Sequence, residues 1–250
     1  MSRKARILSE TKIYHIILRG INRQIIFWDA EDRARFLDRL SYYKGICGYE
    51  LFAYCLMDNH IHLLIKEGKE PLHKVFRRLL DSYVFWYNAK HDRCGNLFQD
   101  RFKSEPVNDE RYFIKVVHYI LHNPVIAGIC ASPEEYEYSS AAEYIFDLSG
   151  ITDVDYVLEM MGRKTLKKYL KDASEDDIIK NQEDHRVLVK VNDKNAMEII
   201  TEKLGAKIPV DQEILKRNIR LFLARGISLR QISRITSLSR TVLYRLLKEE

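Results

Sequence analysis

The sequence has few cysteines and no long apolar run, and both features exclude whole classes of protein. The four cysteines in 250 residues, Cys47, Cys55, Cys94 and Cys130, form no Cys-x-x-Cys pair. They fit a reducing cytosol better than a disulfide-bonded secreted domain or a zinc knuckle. No apolar run approaches the ~20 residues of a membrane span, and residues 1–6 lack the apolar core of a signal peptide. We therefore expect a cytoplasmic protein without a membrane partner.

Basic charge is concentrated near the C-terminal end. The net charge is +5. Residues 1–150 carry 21 Lys and Arg against 20 Asp and Glu, residues 151–210 carry 11 against 12, and residues 211–250 carry 9 against 4. A local basic excess is typical of a surface that contacts the phosphate backbone of a nucleic acid. The last segment is therefore the first candidate for such a contact.

One stretch carries two histidines that could bind a metal ion. Residues 51–65 are rich in apolar, aromatic and β-branched residues and predict two strands with a turn at residues 57–59. Because side chains alternate along a strand, His60 and His62 should share one face, about 7 Å apart, and Ile61 should point to the other. Two such imidazoles can bind one cation. Two hydrogen-bonded histidines on a half-buried face explain this pair equally well.

The order of elements in the first half predicts an α+β fold. A strand at residues 14–19 precedes a helix that Asp29 can cap and Gly48 can end. The two strands above, a helix starting at Pro71 and an extended segment over residues 97–107 then follow. This order is the ferredoxin-like one, an antiparallel sheet with helices on one face. The fold by itself implies no function.

A third predicted helix brings a tyrosine and an amide side by side. Asp109 can cap a helix over residues 110–122, and Pro124 should end it at Asn123, because a residue before proline disfavours the helical region. Tyr119 and Asn123 lie four residues apart and are neighbours on the helix surface. A tyrosine with its hydroxyl in water is the simpler interpretation of Tyr119 alone.

The remainder of the chain predicts two α-helical segments. We expect a first domain over residues 1–150, a helical linker region of unknown role over residues 151–210, and a DNA-binding domain over residues 211–250. Residues 173–184 are acidic and polar and should form a linker or loop.

The last segment has the pattern of a helix-turn-helix. Ser228 and Ser239 can each cap a short helix, and the turn between the two helices is tight, with Ser237 where glycine is common. A helical hairpin for dimerisation is the alternative. The side chains expected to face DNA are Arg240, Thr241, Tyr244 and Arg245.

The separate polar residues become a site if the third helix lies along the sheet. His60, His62 and the Asn123 side-chain oxygen would then form a mixed nitrogen and oxygen site that suits Mg²⁺ or Mn²⁺. A zinc hydrolase would more often show a third histidine or a carboxylate. Tyr119, one turn before Asn123, could attack a phosphate and form a phosphotyrosine.

Four motifs in order resemble the single-tyrosine HUH transposase family, in particular the REP-associated tyrosine transposases. They lie at residues 19–23, 59–65, 98–104 and 118–128, and the resemblance covers about residues 10–145. The C-terminal helix-turn-helix is similar to that of the longer family members.

The resemblance implies an enzyme that cuts and rejoins single-stranded DNA beside hairpins. It assigns His60, His62 and Asn123 as metal ligands and Tyr119 as the nucleophile, which leaves a 5′-phosphotyrosine and a free 3′-OH. Some relatives carry glutamine at the Asn123 position. Relatives bind the hairpin and a short adjacent sequence, and some are dimers with shared active sites, so a homodimer and a monomer both stay open. The candidates for contacts with this DNA are Arg19, Asn22, Arg23, Arg101 and Lys103.

Two other functions compete with the transposase interpretation. One is a domesticated DNA-binding regulator without strand-transfer activity, which the complete set of two histidines, a tyrosine and an asparagine argues against. The other is a replication-initiation or mobilisation nickase with related chemistry, in which the order of tyrosine and histidine motifs usually differs.

Overall fold

A four-stranded antiparallel sheet forms the centre of the first part of the chain. The structure is a computed structural model that describes residues 6–171, 193–205, 212–225 and 227–248. The strands are β1 (Ile13–Arg19), β2 (Glu50–Met57), β3 (His60–Lys66) and β4 (Lys103–Pro106). They lie in the order β2-β3-β1-β4, with every neighbouring pair antiparallel. This is the ferredoxin-like order, and the predicted fold class is confirmed.

Two helices, α1 (Ala30–Cys47) and α2 (Leu72–Lys90), cover one face of the sheet. The Asp29 carboxylate caps α1 by accepting a hydrogen bond from the Asp32 N–H, and Gly48 ends this helix with a φ of 63°. Both predicted ends of α1 are confirmed, because a capping carboxylate and a left-handed glycine satisfy the terminal backbone groups. The main apolar residues between these helices and the sheet include Ile16, Phe36, Leu63, Phe76 and Tyr83.

The opposite face of the sheet is covered by α3 (Glu110–Ile126). The Asp109 carboxylate caps this helix as predicted. Three further helices, α4 (Ala141–Phe146), α5 (Val154–Met161) and α6 (Arg163–Lys171), pack into the same apolar layer. The sheet is therefore buried on both faces, and His60 and His62 lie on the face that α3 covers while Ile61 lies in the other core.

Two predicted element boundaries were wrong. The α3 helix does not end at Asn123 but continues through Pro124 to Ile126. A proline this close to a helix end removes few backbone hydrogen bonds, and the buried packing of this turn offsets its cost. The last strand is also shorter than residues 97–107, because Asp100 has a left-handed φ of 49° that interrupts the extended chain.

The segment after α3 lies along the outer edge of β2. The Leu56 N–H donates to the Tyr138 carbonyl, and the Tyr136 hydroxyl donates to the Leu56 carbonyl at 2.7 Å. The Tyr54 N–H donates to the Ser140 hydroxyl at 3.0 Å. These bonds satisfy polar groups that an edge strand would otherwise leave unpaired.

Four helices near the C-terminal end share a separate apolar core. They are α7 (Asp193–Leu204), α8 (Gln212–Ala224), α9 (Leu229–Thr236) and α10 (Arg240–Lys248). Ser228 makes a capping box with Gln231, and the Ser239 hydroxyl accepts from the Val242 N–H, so both predicted caps are confirmed. Ser237 adopts the left-handed conformation, with a φ of 58°. Leu243 of α10 is fully buried in this core.

The middle of the chain divides its described helices between the two flanking cores. Both α5 and α6 pack with α3, whereas α7 packs with α8 and α9. The expected linker at residues 173–184 lies outside the described residues. The division into three domains stays a prediction, with the change of core falling between residues 171 and 193.

A buried ion cluster joins the C-terminal helices to the turn between β2 and β3. The Asp58 carboxylate accepts hydrogen bonds from Arg33 of α1 and from Nε of Arg225, the latter at 2.6 Å. Burial would lower the pKa of Arg33, but the Asp58 carboxylate outweighs this effect and raises it. The Asp58 carbonyl also accepts from the Ile26 and Phe27 N–H groups. The turn that precedes His60 is therefore held from three sides.

The described part of the chain contains no helix long and apolar enough to cross a membrane. All four cysteines lie within it and are free thiols.

Candidate active site

The two histidines of β3 lie side by side beneath α3. His60 and His62 are 1% and 0% exposed, and their ring centroids are 5.0 Å apart with the ring planes at 88°. Two imidazoles bound to one ion through metal–nitrogen bonds of about 2 Å have centroids at a similar separation. The alternation along β3 therefore produces a spacing that a single cation could bridge.

The Nδ1 nitrogen of each of these two imidazole rings has a hydrogen-bond partner. His60 shares a hydrogen bond between its Nδ1 and the Asn59 Oδ1 at 2.7 Å. His62 shares one between its Nδ1 and the Nε2 of His15 at 2.9 Å. Because both Nδ1 atoms are engaged in this way, Nε2 is the atom of each ring that would coordinate an ion. Such hydrogen bonds set the orientation of metal-binding imidazoles.

The tyrosine predicted as the nucleophile lies against this histidine pair within the same chain. The Tyr119 ring centroid is 5.3 Å from that of His62, edge-on at 88°, and 5.8 Å from that of His15. Tyr119 is 2% exposed. The third helix thus brings its polar edge to the histidine-bearing strand, as the sequence predicts, and one chain brings the two motifs together.

Asn123 lies one helical turn after Tyr119 and is fully buried. Within the described residues, neither its side-chain oxygen nor its side-chain nitrogen has a hydrogen-bond partner. An unsatisfied buried amide is costly unless a ligand completes it. An amide oxygen is a common ligand for hard divalent cations, so this side chain fits the role of a metal ligand.

The chemistry of these groups fits a divalent ion held by few protein atoms. Over the described ranges, no group of three or more His, Cys, Asp or Glu side chains is placed to hold a metal. The candidate set is two imidazoles and one amide oxygen, which would leave positions open for phosphate oxygens. Mg²⁺ and Mn²⁺ accept such mixed sets, whereas a closed structural zinc site has four protein ligands.

A third histidine belongs to the cluster and was not predicted from the sequence. His15 lies on β1, is fully buried and stacks on His62 with centroids 5.1 Å apart at 25°. Its Nδ1 is 3.7 Å from Glu105 of β4. The sequence signal is a single polar residue inside the apolar strand at residues 14–19. Its contact with His62 depends on β1 pairing with β3, which local sequence does not reveal.

Two other histidines of α3 lie on a different side of the helix. His118 and His122 are one turn apart and stack with centroids 4.2 Å apart. His118 also contacts the Tyr169 ring of α6 at 4.5 Å. His118 therefore joins α6 to the helix that carries Tyr119.

The candidates for DNA contacts in the first domain lie at the end of β1, in the turn that follows it, and at the start of β4 with the residues just before it. Arg19 pairs with His60 across the sheet, at the same end as the histidines. Asn22 is exposed and Arg23 is half-buried in the 3-10 turn Ile21–Arg23, and the remaining two candidates, Arg101 and Lys103, are exposed. Arg101 also lines a groove of about 710 Å³ between α2 and residues 96–101.

The candidates in the last helix share its exposed face. Arg240, Thr241, Tyr244 and Arg245 of α10 are all exposed, while Leu243 and Leu246 face the core. The structure leaves this surface available to a partner, and its role as a DNA contact stays a prediction.

Comparisons with known proteins identify the class that this fold and site define. The family of IS200-like transposases matches residues 9–123, which contain both histidines, the tyrosine and the asparagine. The REP-associated tyrosine transposase bound to a REP hairpin is a similar solved structure. It has 18% identity and a TM-score of 0.50, over 62% of this chain and 93% of that chain. At this identity the likeness shows the fold.

A Deinococcus radiodurans protein classed as a transposase has 20% identity and a TM-score of 0.34, over 48% of this chain and 95% of that chain. This similarity is too low to carry an argument. A comparison with curated proteins finds no match.

A ferredoxin-like sheet with a histidine pair under a tyrosine-bearing helix is the arrangement that the resemblance to single-tyrosine HUH transposases implies. Residues 9–123 of this chain match the family of IS200-like transposases, over a little under half of its length. The family resemblance of its motifs is confirmed, and the match supports a transposase.

Proposed function

We propose that this protein cuts and rejoins single-stranded DNA beside hairpins through a covalent bond to Tyr119. The observation that carries the proposal is the contact between the rings of Tyr119 and His62, in a buried layer that also holds His60. The likeness to a transposase that binds a REP hairpin supports the choice of substrate.

In the proposed reaction the Tyr119 hydroxyl oxygen attacks the scissile phosphorus. A bond forms between the tyrosine oxygen and phosphorus, and the bond from phosphorus to the 3′ oxygen breaks. The tyrosine hydroxyl gives up its proton, and the leaving 3′ oxygen takes up a proton and becomes a 3′-OH. One phosphodiester bond replaces another, so a 3′-OH can later attack the phosphotyrosine and rejoin strands without an external energy source. Because Tyr119 is only 2% exposed, its hydroxyl must become accessible before DNA can reach it.

The residues that would hold the divalent ion are His60 and His62 through Nε2 and Asn123 through Oδ1. When bound, Mg²⁺ or Mn²⁺ would polarise the scissile phosphate and stabilise the charge that develops in the transition state. The chain's own part is to orient these side chains, through the hydrogen bond with Asn59 for His60 and through the α3 backbone for the amide.

The Tyr119→Phe substitution tests the nucleophile. The wild-type chain, incubated with labelled hairpin-flanked single strands and Mn²⁺, should give a covalent protein–DNA adduct on a denaturing gel. We expect Tyr119→Phe to form at least about a hundredfold less adduct than wild type, since the attacking oxygen is absent. An adduct that persists in Tyr119→Phe would remove this residue from the proposed role.

Tyr144→Phe provides the matched control. Tyr144 is also a fully buried tyrosine on this face of the sheet, but its hydroxyl donates to the Phe52 carbonyl. Loss of one buried hydroxyl should therefore leave adduct formation intact. If wild-type protein gives no adduct and binds DNA equally well with and without Mn²⁺, a DNA-binding regulator replaces the enzyme.

We also propose that α9 and α10 act as a helix-turn-helix that adds affinity for DNA. The exposed Arg240 and Arg245 on the outer face of α10 and the basic excess of residues 211–250 support this role.

A further inference from the structure

His15 is the residue that connects the histidine pair, the tyrosine helix and the edge of the sheet. It is fully buried on β1. Its ring stacks on His62 at 5.1 Å and meets Tyr119 edge-on at 5.8 Å. An apolar side chain would pack in this place without the cost of burying two ring nitrogens, so its polar atoms need an explanation.

We propose that His15 is a positioning residue that holds His62 by its Nδ1 and thereby directs the Nε2 of His62 to the metal. The inference rests on the proposed function and extends it by one residue. The hydrogen bond between the two rings is 2.9 Å long. A neighbour bound to Nδ1 selects the tautomer and the rotation of a metal-binding imidazole.

The positioning continues from His15 to the surface. The Nδ1 of His15 faces the Glu105 carboxylate at 3.7 Å, and Glu105 is 49% exposed. The Tyr112 hydroxyl of α3 donates to the same carboxylate. The neighbouring His15 imidazole and this hydroxyl lower the pKa of Glu105, although partial burial opposes them. Glu105, His15 and His62 therefore form a chain of contacts that holds the His62 ring at its Nδ1.

Substitutions of His15 with two amides of different length separate hydrogen bonding from packing. In His15→Gln the amide reaches the place of Nε2 and can still bond to His62, whereas in His15→Asn the shorter amide reaches the place of Nδ1. Titration of the full chain with Mn²⁺ alone in a calorimeter should show an affinity 10- to 100-fold weaker for His15→Asn. We expect His15→Gln to stay within about threefold of wild type.

His15→Phe removes both polar atoms and keeps the ring. It should bind Mn²⁺ as weakly as His15→Asn, and near-ultraviolet circular dichroism and a melting temperature report whether each variant is folded. If His15→Asn or a folded His15→Phe binds Mn²⁺ as tightly as wild type, His15 does not position the ligand. Equal losses in His15→Gln and His15→Asn also overturn the proposal.

The Mn²⁺ titration tests the His15 proposal, and the adduct assay tests the strand-transfer proposal separately. If the wild-type chain gives no adduct, but His15→Asn binds Mn²⁺ more weakly and His15→Gln binds it as expected, only the strand-transfer proposal is overturned. A wild-type chain that does not bind Mn²⁺ overturns the His15 proposal, whether or not an adduct forms.

Discussion

Asp32 is a buried carboxylate in α1 that stays ionised because several donors surround it. Its oxygens accept hydrogen bonds from the Trp28 N–H at 2.7 Å, from the His91 ring at 2.9 Å and from the Lys90 ammonium at 3.0 Å. Burial alone would raise the pKa of Asp32, but these bonds outweigh it and hold the pKa below its usual value. Lys90 also pairs with Asp29, which caps the helix. The start of α1 is thus tied to the end of α2 by charge.

The lowered pKa of Asp32 predicts a loss of stability in acid. Because the folded pKa lies below the unfolded value of about 3.9, the stabilisation is present above that pH and is lost as the pH falls through the folded pKa. We expect Asp32→Asn to unfold about 1–3 kcal/mol more easily at pH 7 and to approach wild type below about pH 3. Urea unfolding at a series of pH values measures this difference.

Asp38→Asn is the control for this measurement, since Asp38 is exposed on the same helix. Its substitution should change the free energy of unfolding by less than about 0.5 kcal/mol at every pH. A difference between Asp32→Asn and wild type that stays constant from pH 7 to pH 3 would contradict the assigned pKa direction.

At the scale of elements, the loop after β1 depends on a close backbone approach. A Cβ atom on Gly20 would lie 2.2 Å from the Gln24 carbonyl oxygen and 2.9 Å from the Ile26 side chain. The Gly20 N–H donates to the Asn59 carbonyl at 2.9 Å, which holds this loop against the turn before His60. Any side chain at this position must therefore move backbone that supports the candidate site.

Alanine substitutions of two glycines should have opposite effects on stability. Gly20→Ala should lower the free energy of unfolding by about 1–3 kcal/mol, because the added methyl group overlaps backbone atoms. Gly45 lies on the exposed side of α1, and a Cβ atom added there would meet no other part of the protein within 4 Å. Gly45→Ala should raise the free energy of unfolding by about 0.5–1 kcal/mol, since alanine is the better helix former.

Urea unfolding of the two variants beside wild type gives both numbers. A Gly20→Ala protein as stable as wild type would show that the loop can move at little cost. A Gly45→Ala protein that is less stable would show that this part of α1 has another constraint.

At the scale of the whole molecule, the C-terminal helices are joined to the transposase domain beside its site. Arg225 at the end of α8 reaches Asp58 in the turn before His60, and Ile25 of the first domain packs into the core of the C-terminal helices. Removal of one partner from a buried charge pair is strongly destabilising, so loss of either Arg225 or Asp58 should weaken this junction. The helical cluster that includes α10 is therefore attached to the turn that precedes the histidine pair.

Removal of charge from α10 should weaken DNA binding in a salt-dependent way. We expect Arg240→Ala and Arg245→Ala each to bind the hairpin-flanked strand several-fold more weakly at about 0.1 M salt. Each should also reduce the slope of log affinity against log salt by about 1, because one phosphate contact is lost. Fluorescence anisotropy of labelled DNA at four or more salt concentrations gives the slope.

Arg217→Ala of α8 is the matched control, since it removes an equally exposed arginine from another helix of this cluster. It should leave both the affinity and the slope unchanged. If all three variants behave alike, α10 makes no particular contact with DNA.

Much of the fold followed from local patterns. The apolar, aromatic and β-branched composition of residues 51–65 predicted the hairpin, and the alternation of side chains along a strand predicted the shared face of His60 and His62. The capping residues predicted where α1, α3, α9 and α10 begin. These features depend on residues a few positions apart, so a short segment contains the information for them. The exceptions, the continuation of α3 through Pro124 and the short β4, arose where tertiary packing or one left-handed residue outweighed local preference.

The sequence by itself determined the family resemblance and the ferredoxin-like order of elements, and it predicted the four residues of the candidate site. Only the tertiary structure decided that Tyr119 lies against His62 of its own chain, that His15 completes the cluster and that Arg225 reaches Asp58. The physical reason is distance along the chain. Strand pairing and helix docking bring together groups that are 47 or 167 residues apart, and the short-range patterns that specify each element do not encode those contacts.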